Sequence, residues 1–290
     1  MVKRRMRNGH KMEDKHKKLA RQVAGLIEVL PPMPENISRL MKADVDSHEG
    51  QKQVRALIAS DPGLCTDLLH LACDFCLGTG RTINTIDDAI TQIGTGPLVH
   101  LIAISYAHKT IRKELASLKY LDDYFEHSRD ISLCCRILAE LCDIPAHERE
   151  MCAVAGLIHD IGRLVIMVAS SKTGVRLMGT SWGKMKLVAH TEKEILGLNH
   201  CEVGMQLCRK WNFSQIMQDA VLRHHTPLIG NDLNYLGGLI FISHFISFSD
   251  FTGQIISTTL GKELLDALKL TEKQFIEAQQ IYELRIRKYN

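Results

Sequence analysis

The chain has 290 residues, 45% of them hydrophobic and 24% charged, with a formal net charge of +3 at neutral pH. That length suffices for one large or two small domains with a real core, and the composition, typical of a soluble globular protein, excludes a wholly disordered or fibrous chain. Eight of the 36 Lys/Arg fall in residues 1–18, against two of the 33 Asp/Glu, so the body is slightly acidic and the basicity sits in a tail. This tail is expected to be a solvated, disordered leader, with nucleic acid or an acidic membrane the minor alternative. No apolar segment follows the basic start, and no run of about 18 uninterrupted apolar residues occurs. Neither a signal peptide nor a membrane span is therefore expected, and the expected location is the cytoplasm. The nine Cys then read as reduced thiols, including the lone pair Cys73 and Cys76 within a helical pattern.

Taken in order, almost every segment has a helical period. Leu19, Val23, Leu26, Ile27 and Leu30 share one face, and Pro31, Pro32 and Pro34 end that helix. A second short helix carries Ile37, Leu40 and Met41. A third carries Val54, Leu57 and Ile58 and stops at Ser60. Asp61 then reads as an N-cap with Pro62 at the first helical position. Thr85 with Asp88 is a capping pattern, and Gly94 is placed to end that helix. Leu98 to Ala107 forms another apolar helix. Polarity rises across residues 113–119, which places a soft boundary there. The segments are thus a basic tail (1–18), an N-terminal helical subdomain (19–115) and a second helical subdomain (116–290).

Beyond the boundary, histidines concentrate on helices. His127 precedes Ile131, Cys134, Leu138 and Leu141 on one face. A polar helix with Glu192 and Glu194 ends near Gly197. Asn199 caps the next, with His200 in its first turn. Met217, Val221 and His224 form a row on the following helix, with His225 about 100° round from His224. A helix over 232–249 is apolar on nearly all sides and contains His244, and one or two amphipathic helices fill 261–288. Neither a period-2 strand nor a hairpin dipeptide is evident, so the fold class is all-α, a multi-helix bundle with short loops.

The stretch Met151 to Ala169 organises the rest. It reads as a buried helix whose polar exceptions are His159, Asp160 and Arg163. A carboxylate there costs several kcal/mol unless something pairs with it. The candidate set is His127, His159, Asp160, His200, His224, His225 and His244. Neutral imidazoles around one carboxylate suit Fe, Mn, Zn or Ni rather than Mg or Ca, and the carboxylate can bridge two ions. Arg163, one turn after Asp160, either pairs with that carboxylate or meets a phosphate, and pairing is the expected role.

His159-Asp160-Ile161-Gly162 is the HD signature, and residues 24–285 resemble an HDOD protein, the output-domain branch of the HD superfamily. The resemblance runs through Leu30-Pro31-Pro32-Met33-Pro34, Asp61-Pro62-Gly63-Leu64, the segment Ile83 to Gly94, His127-Ser128, Gly156 to Leu164, His200-Cys201-Glu202-Val203-Gly204, Trp211 and His224-His225. It implies an N-terminal helical subdomain packed on an HD-like one. It also implies that His127, His159, Asp160, His200, His224 and His225 match the relatives' metal ligands, for one or two ions with Fe the first expectation. The relatives' last ligand is an Asp where this chain has His244, so the site would carry one negative charge fewer. The position after the signature is often Lys in active relatives and is Arg163 here. The Gly-Tyr-Pro motif of the cyclic-di-GMP phosphodiesterase branch is replaced by Thr226-Pro227-Leu228.

Two functional expectations follow from the resemblance. The preferred one is a bacterial signalling output module that engages another signalling protein and keeps its histidines as a structural or sensory metal site. The alternative is a metal-dependent phosphohydrolase acting on a nucleotide or cyclic dinucleotide. Its nucleophile would be metal-bound hydroxide, with Asp160 and Arg163 at the reacting centre.

Overall fold

The computed structural model describes residues 2–76, 81–115, 121–173, 185–247 and 259–287. In the first half, α1 (Val2–Val29), α2 (Glu35–Met41), α3 (His48–Ala59), α4 (Pro62–Phe75), α5 (Ile86–Ile93) and α6 (Thr95–Leu115) follow one another through short loops. The second half holds α7 (Leu121–Leu141), α8 (Ala146–Ile158), α9 (Ile161–Thr173), α10 (Met185–Leu196), α11 (His200–Lys210), α12 (Gln215–Arg223), α13 (Tyr235–Ser247), α14 (Thr259–Leu268) and α15 (Glu272–Arg287). Local chemistry sets many of these ends. The Asp61 side chain accepts from the backbone N–H of Leu64, with Pro62 in the first turn. Thr85 and Asp88 form a full capping box, as do Asn199 and Glu202. Gly94 ends α5 at φ 92°, where a side chain would be strained.

Four features depart from the sequence reading. First, residues 2–18 continue as the opening turns of α1 instead of a disordered leader. They contain no proline, and the packed half of the helix, from Leu19 onward, supplies the nucleus from which they propagate. Second, α1 does not belong to the first half alone: it packs on α9, α10 and α11. Lys210 donates to the carbonyls of Ile27 and Glu28, and the Trp211 indole donates to that of Pro31. The last carbonyls of α1 thus find their partners on the other half of the chain. The soft boundary itself runs into residues 116–120, outside the described residues.

Third, the stretch around the HD pair is not one helix but two, α8 and α9, with a break at His159-Asp160. On a straight helix adjacent side chains point about 100° apart. The break lets His159 and Asp160 face the same interior. Gly162 sits in the first turn of α9, where a Cβ would lie 2.0 Å from the His200 carbonyl oxygen and 2.6 Å from the Gly204 nitrogen. Bare backbone there lets α9 and α11 touch. Gly156 plays the same part between α8 and α7, since a Cβ would come within 2.9 Å of the Ser132 Cα.

Fourth, the helix expected from 232 begins at Tyr235, because residues 228–233 form a small antiparallel hairpin. Leu228 pairs with Leu233 and Ile229 with Asp232. Gly230, at φ 58°, takes the first position of the two-residue turn, where positive φ favours glycine. The segment 148–173 is long and apolar enough to cross a membrane by composition, yet 78% of its apolar window is buried within the protein. It is the core, flanked by α7, α11 and α1. A buried Glu150 pairs with Arg136, whose guanidinium lies 4.4 Å from the Phe75 ring centre and ties α7 and α8 to α4.

Candidate metal centre

All seven ligand candidates meet in one place. His127 comes from α7, His159 and Asp160 from the α8–α9 junction, and His200 opens α11. His224 and His225 follow α12, and His244 lies inside α13. His159, His200 and His224 have no exposed surface, and Asp160 and His244 are 1% exposed. The close approach of α9 and α11 at Gly162 and Gly204 carries His200 to Asp160, forty positions earlier in the chain.

Asp160 has two working faces. On one side, Oδ1 lies 3.3 Å from His200 Nε2 and 3.6 Å from His224 Nε2. On the other, Oδ2 lies 3.5 Å from His159 Nε2 and 3.9 Å from His127 Nε2, and it accepts a 3.0 Å bond from Arg163 Nη1. The pairing role expected of Arg163 is the one its geometry serves. The donor atoms fall into two larger groups, His200, Cys201, His224 and His225 in one and His127, His159 and His244 in the other, and a third set, His159, Asp160 and His224, joins them; the members of each lie within 4.8 Å of one another. Asp160 thus links the two larger groups.

Outer contacts orient the rings. The Nδ1 atoms of His159, His224 and His244 face the carbonyl oxygens of Gly156, Val221 and Ile240 at 2.7, 2.7 and 2.8 Å. A carbonyl only accepts, so each Nδ1 carries a proton and each Nε2 turns inward. His200 is held the same way by Glu192, whose Oε2 is 2.6 Å from Nδ1 and also accepts from the His200 backbone N–H.

The inner atoms are poorly satisfied by protein alone. His159 Nε2 and Asp160 Oδ1 are buried without a hydrogen bond. Bare Nε2 lone pairs of His200 and His224 would sit 3.3 Å apart, a repulsive arrangement unless a cation lies between them. Burial holds His127, His225 and His244 well below the usual histidine range, reinforced in each case by neighbouring imidazoles. Burial alone would push the Asp160 carboxyl up, but Arg163, then His159 and His200, outweigh it and hold it well below the carboxylate range. His224 is drawn upward despite its burial, by Cys201 and Asp160. A second proton on that ring would sit on Nε2, facing the carboxylate, where a cation could take its place. Neutral imidazoles at His127, His225 and His244, with a proton on His224 that a cation could replace, converge on an ionised carboxylate, and the residues present fit a transition metal.

A cavity of about 500 Å³ lies against His225, with Phe241 and Leu228 on its apolar wall and an ion pair between Lys193 and Glu202 on its polar side. Two members of the site carry no clear sequence signal. Glu192 reads as part of a polar helix eight residues before His200, and Cys201 as one more buried thiol.

Similarity to known proteins follows the same architecture. The HDOD domain model matches residues 30–227. An uncharacterised protein of Treponema pallidum (strain Nichols) is 24% identical over 215 residues, 72% of this chain, and the match spans 40% of that protein's own length. The crystal structure of an HDOD domain protein of unknown function from Geobacter sulfurreducens aligns at a TM-score of 0.65 with 20% identity, covering 94% of this chain and 97% of that one. A candidate signal transduction protein from Marinobacter aquaeolei VT8 aligns at 0.64 with 19% identity, over 94% of this chain and 64% of its own. A candidate metal-dependent phosphohydrolase from Shewanella amazonensis SB2B aligns at 0.57 with 16% identity, over 92% and 99% of the two chains. At these identities the structural likenesses speak for the fold, and the HDOD match covers more than half of the sequence. With its HD pair at the helix break and its all-helical scaffold, the chain belongs to the HDOD family.

Proposed function

We propose that this chain is an HDOD regulatory module built on a metal centre, acting in the cytoplasm of a bacterium through contact with another signalling protein. One observation carries the metal half of this reading: two groups of inward-facing donors flank a single buried carboxylate that has no other partner on Oδ1. Asp160 would bridge two ions, one held with His200, His224 and His225 and the other with His127, His159 and His244, with Fe the first expectation and Mn, Zn or Ni next. The regulatory half is supported by access. Of the seven ligand candidates, only His225 lines the described cavity; the others are sealed in helix interfaces. A site so enclosed suits a structural or sensory role, in which metal occupancy sets how α7, α9, α11 and α13 pack.

The second reading, a phosphohydrolase acting on a nucleotide or cyclic dinucleotide, is favoured by the cavity itself, which brings a space of ligand size against His225. A bound transition metal would supply a Lewis acid to a phosphoryl oxygen and to water. The chain's part would be to hold Asp160 ionised and to exclude bulk solvent.

Metal analysis of protein purified without chelator tests the first reading: one or two transition-metal ions per chain are expected. A metal-free preparation that cannot be reconstituted overturns it. Incubation of the loaded protein with bis-p-nitrophenyl phosphate and with cyclic-di-GMP then separates the two readings. Turnover that disappears in Asp160→Ala would establish the hydrolase in place of the regulatory module.

A further inference from the structure

Cys201 follows the first residue of α11, and its Sγ points to the same interior as His200. It lies 3.8 Å from His224 Nε2 and shares one tight group with His200, His224 and His225. The side chain is buried, so solvent does not explain its direction. We propose that Cys201 is a thiolate ligand in this group, adding one sulfur to its three imidazoles and the shared Asp160 carboxylate, unlike the group of His127, His159 and His244, which has no sulfur. This rests on the metal-centre reading above and names the chemistry of one half of it.

Distances carry the inference. Metal–nitrogen bonds of about 2.0–2.1 Å and a metal–sulfur bond of about 2.3 Å, with about 90–120° between neighbouring ligands, give N···N edges of about 2.9–3.6 Å and S···N edges of about 3.1–3.8 Å. The protein presents N···N edges of 3.3 Å between His200 and His224 and 3.0 Å between His200 and His225. Its S···N edge is 3.8 Å.

A second, independent observation is the buried Asp160 Oδ1, which reaches toward His200 and His224 without a hydrogen bond. It marks the same point as one where a positive charge is wanted. Charge balance runs the same way. With His244 standing where the resemblance expects a carboxylate, Asp160 is the only anion among the seven ligand candidates. A Cys201 thiolate, its proton released to solvent as the sulfur binds, restores the missing negative charge. Sulfur also shifts the preference of that group toward softer ions such as Zn²⁺ and away from Mn²⁺.

The test is the ultraviolet–visible spectrum of the full chain, stripped of metal and loaded with Co(II). The expected result is a near-ultraviolet sulfur-to-cobalt charge-transfer band in the native sequence. Both Cys201→Ser and Cys201→Ala should lack it while still taking up Co(II), at an affinity weaker by about tenfold or more. Cys208→Ser, on the same helix, should keep it. Co(II) uptake by the native sequence without that band overturns the thiolate ligand and leaves the metal centre standing. A band that persists in both Cys201 variants also overturns it, by assigning the sulfur to another thiol. No Co(II) uptake by the native sequence defeats the metal-centre reading and this one together. Because the native spectrum alone can refute the ligand, the test survives a variant that fails to fold.

Discussion

One carboxylate oxygen of Glu192 accepts two bonds from His200, 2.6 Å from the ring Nδ1 and 2.9 Å from the backbone N–H. It thereby fixes both the start of α11 and the direction of the ring. Nε2 is left facing Asp160 Oδ1 at 3.3 Å. A negative partner behind an imidazole raises its basicity as a ligand, and loss of such a partner typically weakens metal binding by about 10–100-fold. Glu192→Gln is expected to show a loss of that size, read by competitive titration against a chromophoric chelator. An unchanged affinity would mean that His200 is not a ligand.

Gly162 predicts a packing effect. A Cβ there would meet two backbone atoms of α11, which cannot rotate away. Gly162→Ala should therefore destabilise the fold by about 3 kcal/mol or more, at the upper end for overpacked sites, and should reduce metal loading by pushing His200 from Asp160. Gly197→Ala is the contrast: its Cβ would meet nothing, and only the left-handed backbone at φ 76° opposes it, at about 1 kcal/mol. Urea denaturation of the two variants decides whether α9–α11 contact or glycine content matters.

Asp160 is the one carboxylate shared by the two donor groups. Asp160→Ala should abolish metal retention and remove the carboxylate that pairs with Arg163, at a cost of about 3 kcal/mol or more. The melting temperature of the native protein should fall when chelator is added, whereas that of the variant should not respond. A native melting temperature indifferent to chelator would contradict the shared-ligand role.

Asp130 offers a pH prediction away from the cluster. Burial pushes its carboxyl from 3.8 up to about 6. The folded protein then binds that proton more tightly than the unfolded chain. The associated stability is fully present below pH 3.8 and is lost as pH rises through about 6. Asp130→Asn removes the buried charge, so it should stabilise the protein by about 2 kcal/mol at pH 7.5. That gain should vanish near pH 4. Thermal melts of both proteins at the two pH values measure it, and a gain independent of pH would assign the effect to packing instead.

Local signals in the sequence were reliable wherever the interaction spans a single turn. Asp61 with Leu64, Thr85 with Asp88, Asn199 with Glu202 and the stop at Gly94 are all contacts within four residues, decided by the chain next to them. The apolar periods likewise located the helices, and histidines on apolar helix faces, with the carboxylate of the HD pair, made up the seven ligand candidates. A period cannot report a bend, however. The break between α8 and α9 lies within a continuous apolar run and exists because both members of the HD pair face one interior. The hairpin at 228–233 was missed because each strand is two residues long, too short to show alternation.

What the sequence determined by itself was the helical class, most helix ends and the chemical character of the donors. Tertiary structure alone decided that these donors form two groups on opposite faces of Asp160, that Glu192 stands behind His200, and that Cys201 joins one group. The reason is distance along the chain. His127 and His244 lie 117 positions apart, yet their ring centres are 5.2 Å apart. That proximity is set by the direct packing of α13 on α7, where Cys135 Sγ meets Ser243 Oγ at 3.3 Å, and no local pattern encodes it.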